Sequence, residues 1–381
     1  MITVTVRWGD NYADIEFPCT DSELQSKLEQ LHPAAPHSDS IFILSVQEPT
    51  ALGMLEDQFL DLDELNYLAK RMDSFDMNEL FQFYAAAQHE GFHDPRNLIN
   101  LTFNLPRYTV VQNLSSMESI GKAHYLTIHG SMSRDEQRHT DFAAIGRELI
   151  RSGKGRATEF GLLFRNDEIP FEEIYDGTVF PDYDYSGESL VTASAQYNGK
   201  TEYLYLPCDS LAITKAMYRL GAGSVSDLSF TLEDISTNSP AWFDRLKQIL
   251  SDEGIYEANR VVEAINSADV NLDKLTALIA YAGRTDAASI AAIAERMEDF
   301  VFIPGAADES DISRYFVERN SEYTLHPDLE DFFDHQLFGE HLAAEYDGRF
   351  VDGGFVCIND SCTLEEILRP VEEETITLGG M

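Results

Sequence analysis

The chain has 381 residues, and its 67 Asp and Glu against 27 Lys and Arg give a formal net charge of −40 at neutral pH. Self-repulsion on this scale opposes compaction, and it makes nucleic acids, anionic membranes and acidic substrates poor partners. Hydrophobic residues nevertheless make up 44% of the chain and aromatic residues 11%, which excludes an acidic disordered protein and indicates a folded one.

The length allows two or three domains of ordinary size. The first eight residues alternate in hydrophobicity like a strand, so we expect no signal peptide, and no apolar run approaches membrane-spanning length. Four cysteines in a chain of this size favour reduced thiols and a cytoplasmic location. Adaptation to high salt is a second explanation of the acidity, although the many bulky apolar residues are unusual for it.

Strand and helix patterns follow one another irregularly along the first half. Short strands separated by runs of helices indicate an α+β fold rather than repeated βαβ units. Thr20 and Glu23 have the spacing of a capping box at a helix start. Turn-forming residues predict a loose joint at residues 131–140 and a linker at 176–189. The periodicity predicts strands at residues 3–7, 13–17, 41–46 and 109–112, helices at 22–31, 62–72, 77–90, 95–105, 117–125 and 141–151, and a hairpin at 155–165.

A repeated pattern relates the two halves of the chain. Asn66 matches Asn259 within similar helical stretches, and the string IGRELIRSGKGRATEFGLLFRND from Ile145 aligns without a gap with FGEHLAAEYDGRFVDGGFVCIND from Phe338. We therefore predict two divergent tandem copies, residues 1–185 and 186–381. The first copy divides into subdomains at about 1–60, 61–130 and 131–180. We expect an elongated molecule of small mixed subdomains with short antiparallel sheets and helical bundles.

The string HEGFH at residues 89–93 matches the HExxH pattern of zinc metalloproteases. That motif needs two histidines one turn apart on a continuous helix. Here Gly91 predicts the left-handed end of a helix, and Asp94 followed by Pro95 predicts the cap and first residue of the next one. We therefore interpret the string as a helix–loop–helix corner and predict no metal site. A zinc metalloenzyme is the remote alternative.

Signatures of other enzymes are weak. The sequence has neither a glycine loop of the nucleotide-binding type nor a nucleophile elbow. Carboxylates are so abundant that no pair, such as Glu172 and Glu173, can be assigned to acid–base chemistry. In the acidic run LEDFFDHQLFGEH, we expect Leu329, Phe332 and Phe333 to pack inward. We predict a non-enzymatic protein without a cofactor.

The acidity itself suggests a function. Double-stranded DNA carries one negative charge per ~1.7 Å of its axis, so about 40 charges correspond to about 68 Å, or roughly 20 base pairs. Carboxylates on a folded scaffold would fill a basic groove without the free-energy cost of bending real DNA. The sequence therefore predicts a protein that imitates DNA and binds a basic DNA-binding groove.

Two regions, residues 56–79 and 308–374, are the richest in acids and are the candidate DNA-like surfaces. A cluster of cations interrupts any continuous negative stripe and would serve an internal or subunit contact. The candidate acids of the first region are Glu56, Asp57, Asp61, Asp63, Glu64, Asp73, Asp76 and Glu79. Those of the second are Asp308, Glu309, Asp311, Asp328, Glu330, Asp331, Asp334, Glu340, Glu345 and Asp347. The cations are Arg134, Arg138, Arg147, Arg151, Lys154 and Arg156.

The strings DELNYLAKRMDSFD, LINLTFNL and AIGRELIRSGKGRATEFGLLFR in the first copy resemble the ArdA-like antirestriction proteins of mobile elements in gut Firmicutes. The resemblance covers most of the first copy and reaches the second mainly through its similarity to the first. It implies an elongated acidic α+β protein that dimerises, imitates bent DNA and occupies the DNA-binding groove of type I restriction-modification enzymes. The chain departs from the family in lacking the Trp-rich N-terminal pattern of enterobacterial members and in carrying two copies.

Several alternatives remain open from the sequence. The two copies would form either an intrachain pseudo-dimer or part of a homodimer. The groove would belong to a type I restriction-modification enzyme or, alternatively, to a CRISPR or other phage-defence complex, or to a nucleoid protein. Charge alone does not distinguish these partners.

Overall fold

The computed structural model describes residues 1–31, 40–153, 155–183, 189–235, 240–267, 271–319, 323, 325–359 and 362–369. Its first half contains β1 (Ile2–Trp8), β2 (Asn11–Phe17), α1 (Asp21–Leu31), β3 (Ile41–Glu48), β4 (Gln58–Leu60), α2 (Leu62–Asp73), α3 (Met77–Glu90), α4 (Pro95–Phe103), β5 (Tyr108–Val111), α5 (Met117–His129), α6 (Arg134–His139), α7 (Phe142–Arg151), β6 (Arg156–Thr158) and β7 (Gly161–Arg165).

The second half contains β8 (Val191–Tyr197), β9 (Lys200–Leu206), α8 (Ser210–Leu220), β10 (Ser229–Ile235), α9 (Pro240–Asp252), α10 (Ile255–Ser267), α11 (Leu272–Ala282), α12 (Ala287–Glu295), β11 (Phe300–Pro304), α13 (Glu309–Arg319), α14 (His335–Glu345), β12 (Arg349–Val351), β13 (Gly354–Ile358) and α15 (Leu364–Ile367). Short 3₁₀ helices, such as Thr50–Leu55 and Pro327–Phe332, connect some of these elements.

Within the described residues, the strands form four small sheets, with the orders β2–β1–β3–β4, β5–β7–β6, β10–β8–β9 and β11–β13–β12. In the first sheet β1 pairs antiparallel with β2, so that Ile2 lies opposite Phe17, and β3 pairs antiparallel with β4. The alternate residues Ile2, Val4 and Val6 are fully buried, because side chains on a strand point to opposite faces. The α+β fold with several short antiparallel sheets is therefore confirmed.

The described residues cluster into two compact units. The first comprises residues 1–187, 194–204 and 209–229, and the second comprises 188–193, 205–208 and 230–381. These units are defined by contacts, whereas the predicted copies are defined by sequence similarity. The boundary of the copies at 185/186 and the subdomain boundaries therefore stay predictions.

The same side-chain contact recurs in both halves. In the first, the Asn66 amide donates to the Cys19 carbonyl at 2.9 Å and accepts from the Cys19 N–H at 3.0 Å. In the second, Asn259 makes the matching pair with Cys208 at 2.7 and 2.8 Å. Each amide thus provides hydrogen-bond partners for the backbone N–H and C=O of a cysteine that lies just beyond a strand end. This agreement supports the predicted duplication, since the paired residues are those that the sequence aligned.

Close helix crossings also recur. A Cβ added at Gly146 in α7 would lie 2.0 Å from the Met117 carbonyl oxygen of α5, so only glycine allows this approach. At the aligned position in the second half, a Cβ on Gly339 of α14 would lie 1.7 Å from the Glu309 carbonyl oxygen at the start of α13. Both halves therefore have glycine at a close helix crossing, where larger side chains would force the helices apart.

Of two predictions about loops, the first is wrong and the second stays a prediction. Residues 131–140 are not a loose joint, because α6 occupies most of them and begins with a capping box between Ser133 and Glu136. The predicted linker at 176–189 is packed over its described part: the Tyr67 hydroxyl donates to the Pro181 carbonyl at 2.7 Å, and Phe180 stacks on Tyr67. Residues 184–188 of that linker lie outside the described part of the chain.

Candidate functional site

Helix N-termini hold some of the candidate acids in fixed positions. The Asp76 carboxylate caps α3 by accepting from the backbone N–H groups of Asn78 and Glu79 at 2.7 and 2.9 Å. The Glu79 carboxylate accepts in return from the Asp76 N–H at 2.8 Å. Asp76 and Glu79 are both exposed. The helix therefore presents two carboxylates to solvent with little rotational freedom, and its N-terminal dipole favours their charge.

Three further acids of the first region face solvent. The Glu56 carboxylate accepts from the Val46 N–H at 2.9 Å, while Asp57 occupies a left-handed turn with φ of 59°. Asp73 is exposed at the last residue of α2. Together with Asp76 and Glu79, these residues give the 56–79 region five exposed carboxylates, although not the eight that the sequence counted.

The other three acids of this region serve the fold. Asp61 caps α2 by accepting from the Asp63 N–H at 2.8 Å. The Glu64 carboxylate accepts from the Tyr175 hydroxyl at 2.9 Å in a half-buried position. Burial raises the pKa of Glu64, and the hydrogen bond from Tyr175 opposes that rise only in part. A partly desolvated carboxylate of this kind is poorly placed to imitate an exposed phosphate.

Asp63 belongs to an ion network within the first unit. The Lys215 ammonium of α8 lies 2.6 Å from a carboxylate oxygen of Asp63 and 2.6 Å from one of Asp21, and all three side chains are about 15% exposed. Arg219, one turn further along α8, pairs with the buried Glu202 through two guanidinium nitrogens. Burial alone would lower the pKa of Lys215, but the Asp63 and Asp21 carboxylates outweigh it and raise that pKa. The negative charge of Asp63 is therefore balanced within the fold by the Lys215 ammonium.

In the second region, the first acids cluster at the start of α13. The Asp308 carboxylate accepts from the Asp311 N–H at 3.2 Å, and Gln336 donates to the Glu309 carboxylate at 2.8 Å. The hydrogen bond from Gln336 helps to lower the pKa of Glu309. Asp308 is exposed, whereas Glu309 and Asp311 are half-buried. The corner between α13 and α14 therefore carries carboxylates that are held by hydrogen bonds.

Around α14 almost every candidate acid is exposed. Asp334 caps the helix by accepting from the Leu337 N–H at 3.0 Å. The side chain of Asp331 lies outside the described residues. The exposed acids here are Asp328, Glu330, Asp334, Glu340, Glu345 and Asp347. Apolar neighbours are exposed as well, since Leu329 is 55% and Phe332 85% accessible, and the expectation that this segment packs its apolar residues inward is wrong for both.

The cationic cluster lies on α6, α7 and the strand that follows. Its described members, Arg134, Arg138, Arg147, Arg151 and Arg156, are exposed. A guanidinium nitrogen of Arg147 lies 3.9 Å from a carboxylate oxygen of Asp141, and one of Arg151 lies 3.2 Å from a carboxylate oxygen of Glu148. Exposed pairs of this kind contribute about 0.2–1 kcal/mol, so they leave the cations accessible to another partner.

The HEGFH corner has the predicted geometry. Helix α3 ends at Gly91, which has φ of 69°, and Asp94 caps α4 with Pro95 as its first residue. The prediction that the helix stops inside the string is confirmed. Within the described part of the chain, no group of three or more His, Cys, Asp or Glu side chains is arranged to hold a metal ion.

Two further observations concern membrane crossing and similarity to known proteins. Among the described residues, none of the helices has the length and apolar character required to cross a bilayer. A scan against models of known protein families finds no match, and a search of curated proteins finds none either.

Proposed function

We propose that this protein is a non-enzymatic antirestriction protein of the cytoplasm, which imitates DNA and occupies the DNA-binding groove of a type I restriction-modification enzyme. The observation that carries the proposal is that a net charge of −40 is borne by a folded α+β chain. Repulsion among so many negative charges opposes folding. The same charges would be attracted to an electropositive groove of a partner, so binding such a groove is a function that they would serve.

The arrangement of the exposed acids supports the same proposal. Asp76, Glu79 and Asp334 are held by helix N-termini, so their carboxylates need little further ordering when a partner binds. Pre-ordered charges lose less conformational entropy on binding than flexible ones do. The partner in this proposal is a basic groove, not a nucleic acid or a membrane, because the latter two would be repelled.

A charge-neutralising variant tests which acids matter. Asp57→Asn, Asp73→Asn, Asp76→Asn and Glu79→Gln remove four charges while keeping the side-chain shapes, and Asn remains a good helix cap. At about 0.4 kcal/mol per exposed charge, the loss is about 1.6 kcal/mol, or roughly 15-fold in the inhibition constant for DNA cleavage. The matched control neutralises four exposed acids elsewhere: Asp10→Asn, Glu29→Gln, Glu168→Gln and Glu172→Gln.

The comparison of the two variants is decisive for the 56–79 surface. A loss confined to the first variant supports a specific DNA-like surface there. An equal small loss in both would indicate only a general effect of net charge and would remove the 56–79 region from the proposal.

A further inference from the structure

A groove lies between β2 and α1 in the first unit. Strand β2 is at the edge of its sheet, and within the described part of the chain its only neighbouring strand is β1. The backbone N–H and C=O groups that point away from β1 have no strand partner there, and such an edge is a template for pairing with another chain. The groove beside this edge has a volume of about 440 Å³, which falls within the range of ligand sites, about 300–1,000 Å³.

Hydrogen bonds fix both ends of the groove. At one end the Asn11 amide donates to the carbonyl of Leu31, the last residue of α1, at 2.9 Å. At the other end the Cys19 backbone bonds to the Asn66 amide. The strand and the helix are therefore held at a set spacing, so little conformational entropy is lost in ordering the groove when a ligand binds.

The strand side of the groove is acidic. Asp14 and Glu16 line it from β2 and are both exposed. They are two residues apart on a strand, so both point to the solvent face of the sheet, while Ile15 between them points to the core and is buried. Hydrogen bonds from Thr5 Oγ1 at 2.8 Å and from Gln47 Nε2 at 2.9 Å hold the Asp14 carboxylate. The edge therefore presents a backbone template with two negative charges beside it.

The helix side of the groove adds one acid and one base. Glu23 and Lys27 lie one turn apart on α1 and are both exposed. The Glu23 carboxylate accepts from the Thr20 N–H at 2.9 Å in the capping box that begins the helix. Together with the two acids of the strand, the lining carries three carboxylates and one ammonium group, for a net charge of −2. A ligand that complements this charge is basic.

The second half has the same strand–helix motif, β9 followed by α8, without charges at the aligned lining positions. Those positions, counted from the two aligned cysteines, are Tyr203, Tyr205, Ala212 and Ala216. The motif can therefore form without charged side chains at these positions. The charges of the first-half groove are not required by the local fold, and they are available to bind a partner.

We propose that this groove binds an extended basic segment of a partner protein, which pairs with β2 as an additional strand of the sheet. Backbone hydrogen bonds to the free edge of β2 hold such a segment, and its side chains give the specificity. Because side chains alternate along a strand, Lys or Arg residues of the segment lie beside Asp14 and Glu16. The residues between them are apolar and pack on Pro18 and the hydrocarbon stem of Lys27.

The charge of β2 disfavours a second copy of this chain as the occupant. Pairing two β2 strands would place acids beside acids, and like charges on neighbouring strands are destabilising. A basic segment gains from the same carboxylates. The proposal concerns an additional partner, and it does not depend on the proposed inhibition of restriction.

The first test uses a labelled seven-residue peptide of alternating lysine and valine, which matches the length of β2. Fluorescence anisotropy with the full-length chain measures its dissociation constant at about 150 mM salt, where screening weakens general attraction to the acidic surface. Two control peptides have the same charge but carry N-methyl groups on the amides of either the valines or the lysines. Because alternate amides of an added strand face the sheet edge, one control should bind at least about tenfold more weakly and the other within about threefold. Equal binding of the two controls overturns the proposal.

The second test locates the peptide. Glu16→Lys reverses a charge in the groove, and Glu168→Lys reverses an exposed charge outside its lining with the same change in net charge. The dissociation constant should rise about tenfold for Glu16→Lys and less than about threefold for Glu168→Lys. Circular dichroism checks that both variants retain the fold. Equal effects of the two reversals overturn the proposal.

Hydrogen exchange followed by mass spectrometry gives an independent readout of the same site. The unmodified peptide should slow exchange in residues 11–17 of the unmodified protein, because added backbone hydrogen bonds protect the edge amides. Unchanged exchange in that segment when the peptide is bound overturns the proposal. Protection that rises with protein concentration in the absence of peptide would assign the edge to a second copy of the chain, and it would overturn the proposal as well.

Discussion

Lys215 is the residue whose replacement should destabilise the first unit most clearly. Its ammonium group lies 2.6 Å from carboxylates of both Asp21 and Asp63, and about five-sixths of each side chain is removed from solvent. Lys215→Met retains the length of the side chain but leaves two partly buried carboxylates without their cation. Removing one partner of a buried ion pair costs about 3–5 kcal/mol, and Arg219, at 4.0 Å from Asp63, offsets some of it. We therefore expect a loss of about 3 kcal/mol.

The assay is urea unfolding followed by the fluorescence of one tryptophan. The chain has two, Trp8 in β1 and Trp242 in α9, so a Trp242→Phe background leaves a probe in the first unit alone. With an m-value of about 3 kcal/mol/M, the midpoint should fall by about 1 M. Lys200→Met, at an exposed lysine of the same unit, is the control and should shift the midpoint by less than about 0.2 M.

A second variant separates charge from packing. Asp21→Asn and Asp63→Asn, added to Lys215→Met, remove the unpaired charges and should restore most of the lost stability. In the unmodified protein, the raised pKa of Lys215 stabilises the fold at all pH values below the pKa of an unfolded lysine. That contribution should disappear as the pH rises through the folded-state pKa. A Lys215→Met variant as stable as Lys200→Met would show that the Lys215 ion pairs do not stabilise the first unit.

Two other predictions concern the close helix crossing at Gly146 and the half-buried carboxylate of Glu64. Gly146→Ala should destabilise the first unit by about 3 kcal/mol in the same assay, because the added methyl group would overlap the Met117 carbonyl, whereas Gly53→Ala meets no atom within 4 Å and should be nearly neutral. Glu64→Gln should keep full inhibitory activity and should not lower stability at neutral pH. Since the pKa of Glu64 is raised in the fold, its ionised form disfavours folding, so acidification from neutral pH should favour the folded state less in the variant than in the unmodified protein.

Local sequence signals predicted the elements well where they act over a few residues. The end of α3 at Gly91 and the start of α4 at Asp94 follow directly from glycine and proline geometry. Helix α6 was missed because its residues lack apolar periodicity, although Ser133 and Glu136 have capping-box spacing that would have indicated it.

Local patterns could not predict which carboxylates are exposed and which are paired within the fold. Asp63 is neutralised by Lys215 and Glu64 is bonded by Tyr175, and these partners lie 152 and 111 residues away in sequence. Only the folded chain brings them together, so an acidic string cannot be divided into surface and structural carboxylates by inspection. Phe332 was also mispredicted, because it is exposed although phenylalanine is among the residues most often buried.

Competition with DNA is the sharpest test of DNA imitation. Cleavage by a purified type I restriction-modification enzyme would be measured with increasing inhibitor and increasing unmethylated DNA, at about 50 mM and about 200 mM salt. DNA imitation predicts that DNA relieves the inhibition competitively and that the inhibition constant rises at least about tenfold at the higher salt, because ions screen the contact. Absence of inhibition, or inhibition that neither DNA nor salt reduces, would show that the protein does not inhibit this enzyme by imitating DNA.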